Sequence, residues 1–216
     1  MEIIVTDVTD MSDGYVCVAG WSTEEGRMVR PLHAAGHPHW AANMAHDDLF
    51  YPGNIITVEP SGQPPQRGAP HRTEDTLIAG DPALSGKLSH EDMVGTVSGS
   101  VFPTVRDLFG EELSESKFVP EGTGVRSLGA VEIPSRRVRF IYGKYGYTCR
   151  FEDHDGETYS LKITSRAVHE EGIDDLAKMA GTVHIRLGFA NPWDGPAGKN
   201  WNPRRCYAMV NGIFIV

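Results

Sequence analysis

Residues 137–163 read RVRFIYGKYGYTCRFEDHDGETYSLKI, and this stretch decides the fold prediction for the second half of the chain. Three runs of β-branched and aromatic residues, 138–142, 147–151 and 159–163, are separated by turns that contain glycine. Alternating apolar and polar positions in each run are typical of strands with one buried face. The stretch therefore predicts a three-stranded antiparallel meander.

The residues that follow the meander suggest how it closes. A helix is predicted over 165–179, and Gly181 follows it, where glycine is frequent. Two more strands are predicted at 183–187 and 206–216. Three strands, a helix and two further strands match an OB-fold, a five-stranded barrel that binds oligonucleotides and oligosaccharides.

The first half of the chain repeats this pattern with longer insertions. Strands are predicted at 3–5, 15–21, 28–31, 54–59 and 71–78. Asp13-Gly14 is a hairpin signal, and Ser/Thr-x-x-Asp patterns at Ser89 and Thr104 predict the N-caps of two short helices. We therefore predict an all-β-dominated fold with a few short helices, made of two tandem OB-like barrels.

The domain boundary is expected beside the flexible stretch Glu121-Gly122-Thr123-Gly124. This gives a first domain of residues 1–125 and a second of residues 126–216. Charge changes near the same point. Residues 1–130 hold 8 Lys and Arg against 19 Asp and Glu, whereas residues 131–216 hold 12 against 10. A polyanion is therefore expected to contact the second half.

Composition excludes several classes of protein. A net charge of −9 argues against a wholly basic nucleic-acid binder, and 40% hydrophobic residues argue against disorder. The sequence has three cysteines, Cys17, Cys149 and Cys206, an odd number that lie far apart. They predict reduced thiols in a cytoplasmic protein. The first ten residues lack the basic region of a signal peptide, and no apolar run approaches the ~20 residues that span a bilayer. No contact with a membrane is expected.

A set of cations is assigned to one outer surface of the predicted meander by strand alternation. Its members are Arg137, Arg139, Arg150 and Lys162. Tyr145 in the first turn adds an aromatic ring. OB-folds bind single strands by combining cations with exposed rings. A solvated polar face, which every half-buried sheet needs, is the alternative.

The irregular loop at 190–205 interleaves aromatic and basic residues. Its candidates for nucleic-acid contacts are Trp193, Lys199, Trp201 and Arg204. Such a loop suits a single strand. Packing of the tryptophans over one end of the barrel is the alternative.

The segment His71-Arg72-Thr73-Glu74-Asp75 holds another group of candidates. His71, Glu74 and Asp75 are weak catalytic candidates, because such groups bind metals or transfer protons. They equally suit side-chain bonds that close a turn. The candidates for a ligand site or for the contact between the barrels are Arg30, His71, Thr73, Glu74, Asp75 and Ser127.

A histidine-rich segment precedes Asp47 and Asp48. It comprises His33, His37, His39 and His46. Its spacing completes no tetrahedral metal set, so a polar linker is the preferred interpretation. No metal or cofactor is predicted. The sequence also lacks the phosphate-loop, dinucleotide and G-x-S-x-G patterns.

Several short motifs follow one another along nearly the whole chain. They are Ile3-Ile4-Val5-Thr6-Asp7-Val8-Thr9, Cys17-Val18-Ala19-Gly20, Gly26 before Val29-Arg30-Pro31, Gly53-Asn54-Ile55-Ile56, His71-x-Thr73-Glu74-Asp75, Ser127-Leu128-Gly129, Phe151-x-Asp153-x-x-Gly156-x-x-Tyr159-x-Leu161, Leu187-Gly188 and Cys206-Tyr207-x-x-Val210-Asn211-Gly212-Ile213. With them the chain resembles the bacterial dual OB-containing domain family. The resemblance implies two OB-type barrels and a nucleic-acid-binding role, often in bacterial defence against phage or foreign DNA.

Binding is therefore favoured over catalysis. We expect an accessory module that binds single-stranded or locally unpaired nucleic acid, with other proteins of the same system as further partners. The four cations of the meander would contact phosphates. Tyr145 and a tryptophan of the loop at 190–205, which we name the late loop, would stack on bases. One alternative is a metal-assisted enzyme acting on nucleic acid or nucleotides, centred on His71, Glu74 and Asp75. The other is a protein-interaction adaptor whose acidic first half meets a basic partner.

Overall fold

The computed structural model describes residues 1–46, 49–64, 68–173 and 180–215, and strands dominate them. The elements up to residue 87 are β1 (Glu2–Asp10), β2 (Tyr15–Ser22), β3 (Arg27–His33), β4 (Trp40–Ala41), α1 (Ala42–His46), β5 (Asn54–Gly62) and β6 (Asp75–Lys87). The elements that follow are α2 (His90–Thr96), β7 (Val101–Phe102), α3 (Val105–Phe109), β8 (Phe118–Pro120), β9 (Leu128–Pro134), β10 (Val138–Gly143), β11 (Gly146–Glu152), β12 (Thr158–Lys162), α4 (Arg166–Glu171), β13 (Thr182–Phe189) and β14 (Arg205–Ile215).

Five strands of the first half close into a barrel. β1 pairs with both β2 and β5, β2 pairs with β3, and β6 joins β3 to β5. All these pairs are antiparallel except β3 with β6. This arrangement is an OB-like barrel, as predicted.

The second half builds the same arrangement from a bent first strand. β9 and β10 are separated only by a 3₁₀ turn at Ser135–Arg137, and they pair with β13 and β11 respectively. β11 pairs with β12, and β13 pairs with β14. A parallel bridge between Ile163 and Val210 joins the end of β12 to β14. The predicted meander is therefore confirmed within a second OB-like barrel.

The segment between the barrels packs mainly on the second. Ser89 and Thr104 cap α2 and α3 as predicted, each accepting a backbone N–H three residues on. β7 pairs with β9, β8 pairs with β14, and α3 contributes to the core of the second barrel. Residues 101–120 thus lie against the second barrel, although they fall within the predicted range 1–125. The boundary itself stays a prediction.

Two predicted elements begin or end at other residues than expected. The strand predicted at 71–78 begins only at Asp75, because His71–Thr73 forms a 3₁₀ turn. The predicted helix 165–179 is described over Arg166–Glu171 and ends at Gly172, whose φ of +84° breaks the helical path. Residues 174–179 lie outside the described residues.

β1 is buried on both faces, and it is nine residues long against the predicted three because its pairing with β2 continues to Asp10. One face enters the core of the first barrel through Ile3, Val5 and Val8. The other face turns Ile4 toward Met93 and Phe214 in a separate apolar cluster. The strand is therefore a wall shared by the barrel core and the contact between the barrels.

None of the three cysteines, all within the described residues, forms a disulfide. In the part of the chain that the structure describes, no helix is both long and apolar enough to cross a membrane.

We expect Gly20→Ala to destabilise the protein strongly, by ~1–3 kcal/mol or more. Gly20 lies opposite Val5, and an added Cβ would overlap the carbonyl oxygen of Ile4 and lie 2.5 Å from Cγ2 of Ile3. Urea unfolding measures the effect. Gly95→Ala is the matched control, because Gly95 is exposed in α2 and a Cβ added there would have no atom within 4 Å. That change should stabilise the protein by ~0.5–1 kcal/mol, and equal effects of the two changes would contradict this account of β1.

Candidate functional site

A buried ion pair joins the two barrels. Arg186 on β13 is fully buried, and its Nε and Nη2 donate to the two carboxylate oxygens of Asp7 on β1 at 3.3 and 3.1 Å. Its Nη1 donates to Oγ of Ser100 at 2.7 Å. A bidentate pair between an arginine and a carboxylate has a strict geometry. It therefore aligns β13 of one barrel with β1 of the other.

A second polar network lies around Arg30 on β3. Its Nη1 donates to Asp75 at 2.5 Å, and its Nη2 donates to Oγ of Ser127 at 3.0 Å. Ser127 in turn donates its backbone N–H and its hydroxyl to the two carboxylate oxygens of Glu74, each at 2.9 Å. These bonds connect the first barrel to the residue that precedes β9. Arg30 and Ser127 are thus brought together by the fold.

Burial dominates the electrostatics of this network. Burial raises the pKa of Glu74 above its usual range, although Arg30, Thr73 and Ser127 all act in the opposite direction. Burial also opposes the charge of Arg30, but the attraction of Asp75, together with smaller contributions from Cys17 and Glu74, outweighs burial and raises the pKa of Arg30. The guanidinium therefore stays charged inside the contact.

The side chains of the segment 71–75 point in different directions. Nε2 of His71 donates to the carbonyl oxygen of Phe189 at 3.2 Å, whereas Asp75 faces Arg30. Thr73 donates its hydroxyl to the carbonyl oxygen of Pro70 at 3.1 Å. His71 borders a cavity between the barrels, and Glu74 borders a separate depression. His71, Glu74 and Asp75 thus do not converge on one cavity.

No group of three or more His, Cys, Asp or Glu side chains within the described residues is placed to hold a metal ion. In the histidine-rich segment, His37 stacks on Tyr15 with ring centroids 3.5 Å apart, and His33 packs against Trp40 at 3.8 Å. The side chain of His46, with Asp47 and Asp48, lies outside the described residues.

The cavity between the barrels has a volume of about 200 Å³. Its buried walls combine charged and apolar groups from both barrels: Asp7, Ala19, Arg30, His71, Leu128 and Phe189. Exposed residues that also border it, including Asp10, Ser12 and Asn191, mark the side that opens to solvent.

The outer face of β10–β12 carries three of the predicted cations. Arg139 lies directly opposite Arg150 on the neighbouring strand, and Lys162 lies opposite Thr148. All three cations are exposed. Arg137 differs, because it lies in the 3₁₀ turn before β10 and contacts Glu152 at 3.7 Å. We name Arg139, Arg150 and Lys162 the basic face.

Aromatic side chains project from the tip of the β10–β11 hairpin. Tyr145 is 78% exposed, and Lys144 lies above its ring at 5.3 Å. Strand alternation predicts that Tyr142 faces the core with Val138 and Phe140, but Tyr142 is 76% exposed. That prediction is wrong because the hairpin extends beyond the core at this point.

The late loop folds back onto the end of the barrel. The guanidinium of Arg205 lies 4.0 Å from the ring of Trp201, and Trp201 also packs against Trp193. Arg204 donates two hydrogen bonds to Glu121, at 2.7 and 2.5 Å. Trp193 remains 48% exposed, and Lys199 is exposed. The contacts of Trp201 agree with the packing alternative.

Tyr145 and the late loop lie at opposite ends of the second barrel. The late loop precedes β14, which runs parallel to β12. The β10–β11 turn lies beside the far end of β12, where Ile163 donates its N–H to Tyr147. The structure therefore does not bring Tyr145 together with Trp193 or Trp201.

Sequence reasoning missed Asp7, Ser100 and Arg186. A charged residue inside an otherwise apolar strand, as in IIVTDV and VHIRLGF, is the signal that points to a buried partner. It does not name the partner, because Asp7 and Arg186 are 179 positions apart.

We expect Asp7→Ala to reduce the free energy of unfolding by ~3–5 kcal/mol, because it leaves a buried guanidinium without its carboxylate. Urea unfolding measures this change. Asp10→Ala on the same strand is the control. Its exposed pair with Arg166 should contribute at most ~1 kcal/mol. A loss of less than ~1 kcal/mol for Asp7→Ala would contradict the proposed role of the pair.

Acid should destabilise the protein through His184. Burial, with a smaller contribution from Arg186, lowers the pKa of His184 to about 3, and its Nδ1 lies 3.2 Å from Glu132. The unfolded chain gains a proton near pH ~6.5 that the folded chain does not bind, so stability falls as pH drops below that value. Between pH ~7 and ~5, wild type should lose ~2 kcal/mol more than His184→Gln in urea unfolding. Equal losses would show that His184 does not titrate in this way.

Comparison with known proteins places these features in a family. A family model described as a dual OB-containing domain matches residues 1–213. No curated protein and no solved structure matches the chain. The chain therefore belongs to the dual OB-containing domain family.

Proposed function

We propose that this member of the dual OB-containing domain family binds single-stranded nucleic acid on the basic face. The observation that carries the proposal is the position of Arg139 directly opposite Arg150. Like charges at opposite positions of neighbouring strands destabilise a sheet. A bound phosphate would turn this repulsion into attraction.

The charges of the basic face are not compensated by carboxylates of the described residues, although Nη1 of Arg139 donates to the backbone carbonyl oxygens of Arg136 and Val138. Among the described residues, none of the ion pairs involves Arg139, Arg150 or Lys162. Arg137 and Arg204, by contrast, already have carboxylate partners. The proposal therefore rests on three cations and not on all the basic residues named from the sequence.

An exposed ring favours a single strand over a duplex. Tyr145 extends from the turn of the hairpin whose strands carry Arg139 and Arg150. Stacking on a side chain requires an unpaired base. The central strands and the first hairpin loop are also the surfaces with which OB-folds bind oligonucleotides.

The distribution of charge supports the choice of barrel. Residues 1–130 carry 19 acidic against 8 basic residues, so they repel a polyanion. A nucleic-acid strand is therefore expected to bind the second barrel. We propose that the protein acts there as an accessory module of a bacterial anti-phage or conflict system, with other proteins of that system as partners, on the basis of the resemblance described above.

We expect Arg150→Ala to weaken binding to all sequences about equally, because phosphate contacts do not read bases. The slope of log affinity against log salt should shrink by ~0.7, because the variant neutralises one phosphate fewer. Tyr145→Ala should cost ~1–3 kcal/mol with little change in slope, because stacking is not ionic. Titration of a labelled single strand at several salt concentrations measures both quantities.

Arg72→Ala is the matched control, because Arg72 is also exposed but belongs to the first barrel. It should leave affinity and salt slope almost unchanged. If Arg150→Ala behaves like Arg72→Ala, the basic face is not the binding surface. If wild type binds no nucleic acid at low salt, the proposed function is wrong and a protein-interaction adaptor becomes the better hypothesis.

A further inference from the structure

The cavity between the barrels is separate from the basic face and has a chemistry of its own. Its walls come from both barrels, so it exists only when they are docked. The charges within it are already compensated: Arg30 is paired with Asp75, and Asp7 is paired with Arg186. A charged ligand would have to compete with these buried pairs, so the cavity suits a neutral ligand.

The remaining lining combines flat apolar surface with polar groups. Leu128, Phe189 and Met209 supply apolar contact, whereas Thr9 and Asn211 supply hydroxyl and amide groups. A ligand with apolar faces and a polar edge matches this combination. Its volume of about 200 Å³ is below the ~300–1,000 Å³ typical of sites for drug-sized molecules. One ring system therefore fits better than a whole nucleotide.

One wall of the cavity lies close to the basic face. Thr164, which borders the cavity, lies two residues after Lys162 at the end of β12. Two residues of extended chain span only ~7 Å. Ser165 is bridged to Thr9 of the first barrel, which holds this segment against the cavity. A nucleic-acid strand that crosses Lys162 thus passes close to one wall of the cavity.

We propose that the cavity between the barrels accepts one unpaired nucleobase while its sugar and phosphate stay outside. The base comes either from a strand held on the basic face, which rests on the proposed function, or from a free nucleoside. The two sources offer the same neutral ring with hydrogen-bonding edges. Insertion of an unpaired base into a protein pocket costs least when no base pair has to be opened.

Cys17 offers a direct measurement of occupancy. It borders the cavity and is half-buried, whereas Cys149 and Cys206 are buried in the core of the second barrel. Burial raises the pKa of the Cys17 thiol, so its alkylation is followed at about pH 8.5. The probes are a mixed-sequence single strand, an abasic strand of the same length and free nucleosides.

The expected result is that the base-containing strand slows alkylation of Cys17 at least tenfold, and that the abasic strand does not. Met209→Trp and, as a second variant, Ala190→Leu narrow the cavity and should weaken base-dependent binding tenfold while leaving the salt slope unchanged. Leu84→Trp is the control, because Leu84 is exposed on the first barrel. Thermal melting of each variant reports whether it is folded.

The outcomes separate this proposal from the proposed function. Equal protection by the abasic strand, or unchanged base-dependent binding in both folded cavity variants, would overturn the cavity proposal while strand binding stands. Protection by nucleosides without any strand binding would support the cavity and reject the basic face. If no probe slows the alkylation of Cys17, the cavity proposal is wrong.

Discussion

A buried guanidinium must have a carboxylate beside it, and the arrangement of the two barrels follows from this requirement. Arg186 has no exposed surface, and the oxygens of Asp7 meet it from the other barrel. Removing an ion from water costs several kcal/mol, which only close and well-aligned partners offset. The two barrels are therefore fixed in one orientation. The network of Arg30, Glu74 and Ser127 also joins the two barrels and stabilises the same orientation.

This fixed contact separates two surfaces with different chemistry. The outer face of β10–β12 carries exposed cations and is open to solvent. The cavity between the barrels has paired charges and apolar walls. One surface suits phosphates and the other suits a neutral ring. The two barrels share a strand arrangement, but Arg27 and Arg30 on β3 of the first barrel are paired with Glu25 and Asp75. The duplicated fold therefore does not imply a duplicated function.

Local patterns in the sequence predicted the elements that depend on local physics. The meander, the hairpins and the caps at Ser89 and Thr104 follow from alternation and from side-chain bonds within three residues. The exposure of Tyr142 and the 3₁₀ turn at His71 were not predictable in this way. They depend on where the core ends and on the bond from His71 to Phe189, 118 positions away. The candidate residues Arg30 and Ser127 were named, but the pairing of Asp7 with Arg186 was not.

The distance of Asp7 from Arg186 along the chain also matters while the protein is being made. The ribosome synthesises β1 early, but its partner on β13 follows 179 residues later. At ~5–20 residues per second, that interval lasts about 9–36 seconds. Throughout it the nascent first barrel exposes Ile4 and the Asp7 carboxylate, without its guanidinium partner, on a surface that is buried in the finished protein. Such a surface attracts chaperones or other nascent chains, so translation speed bears directly on the yield of folded protein.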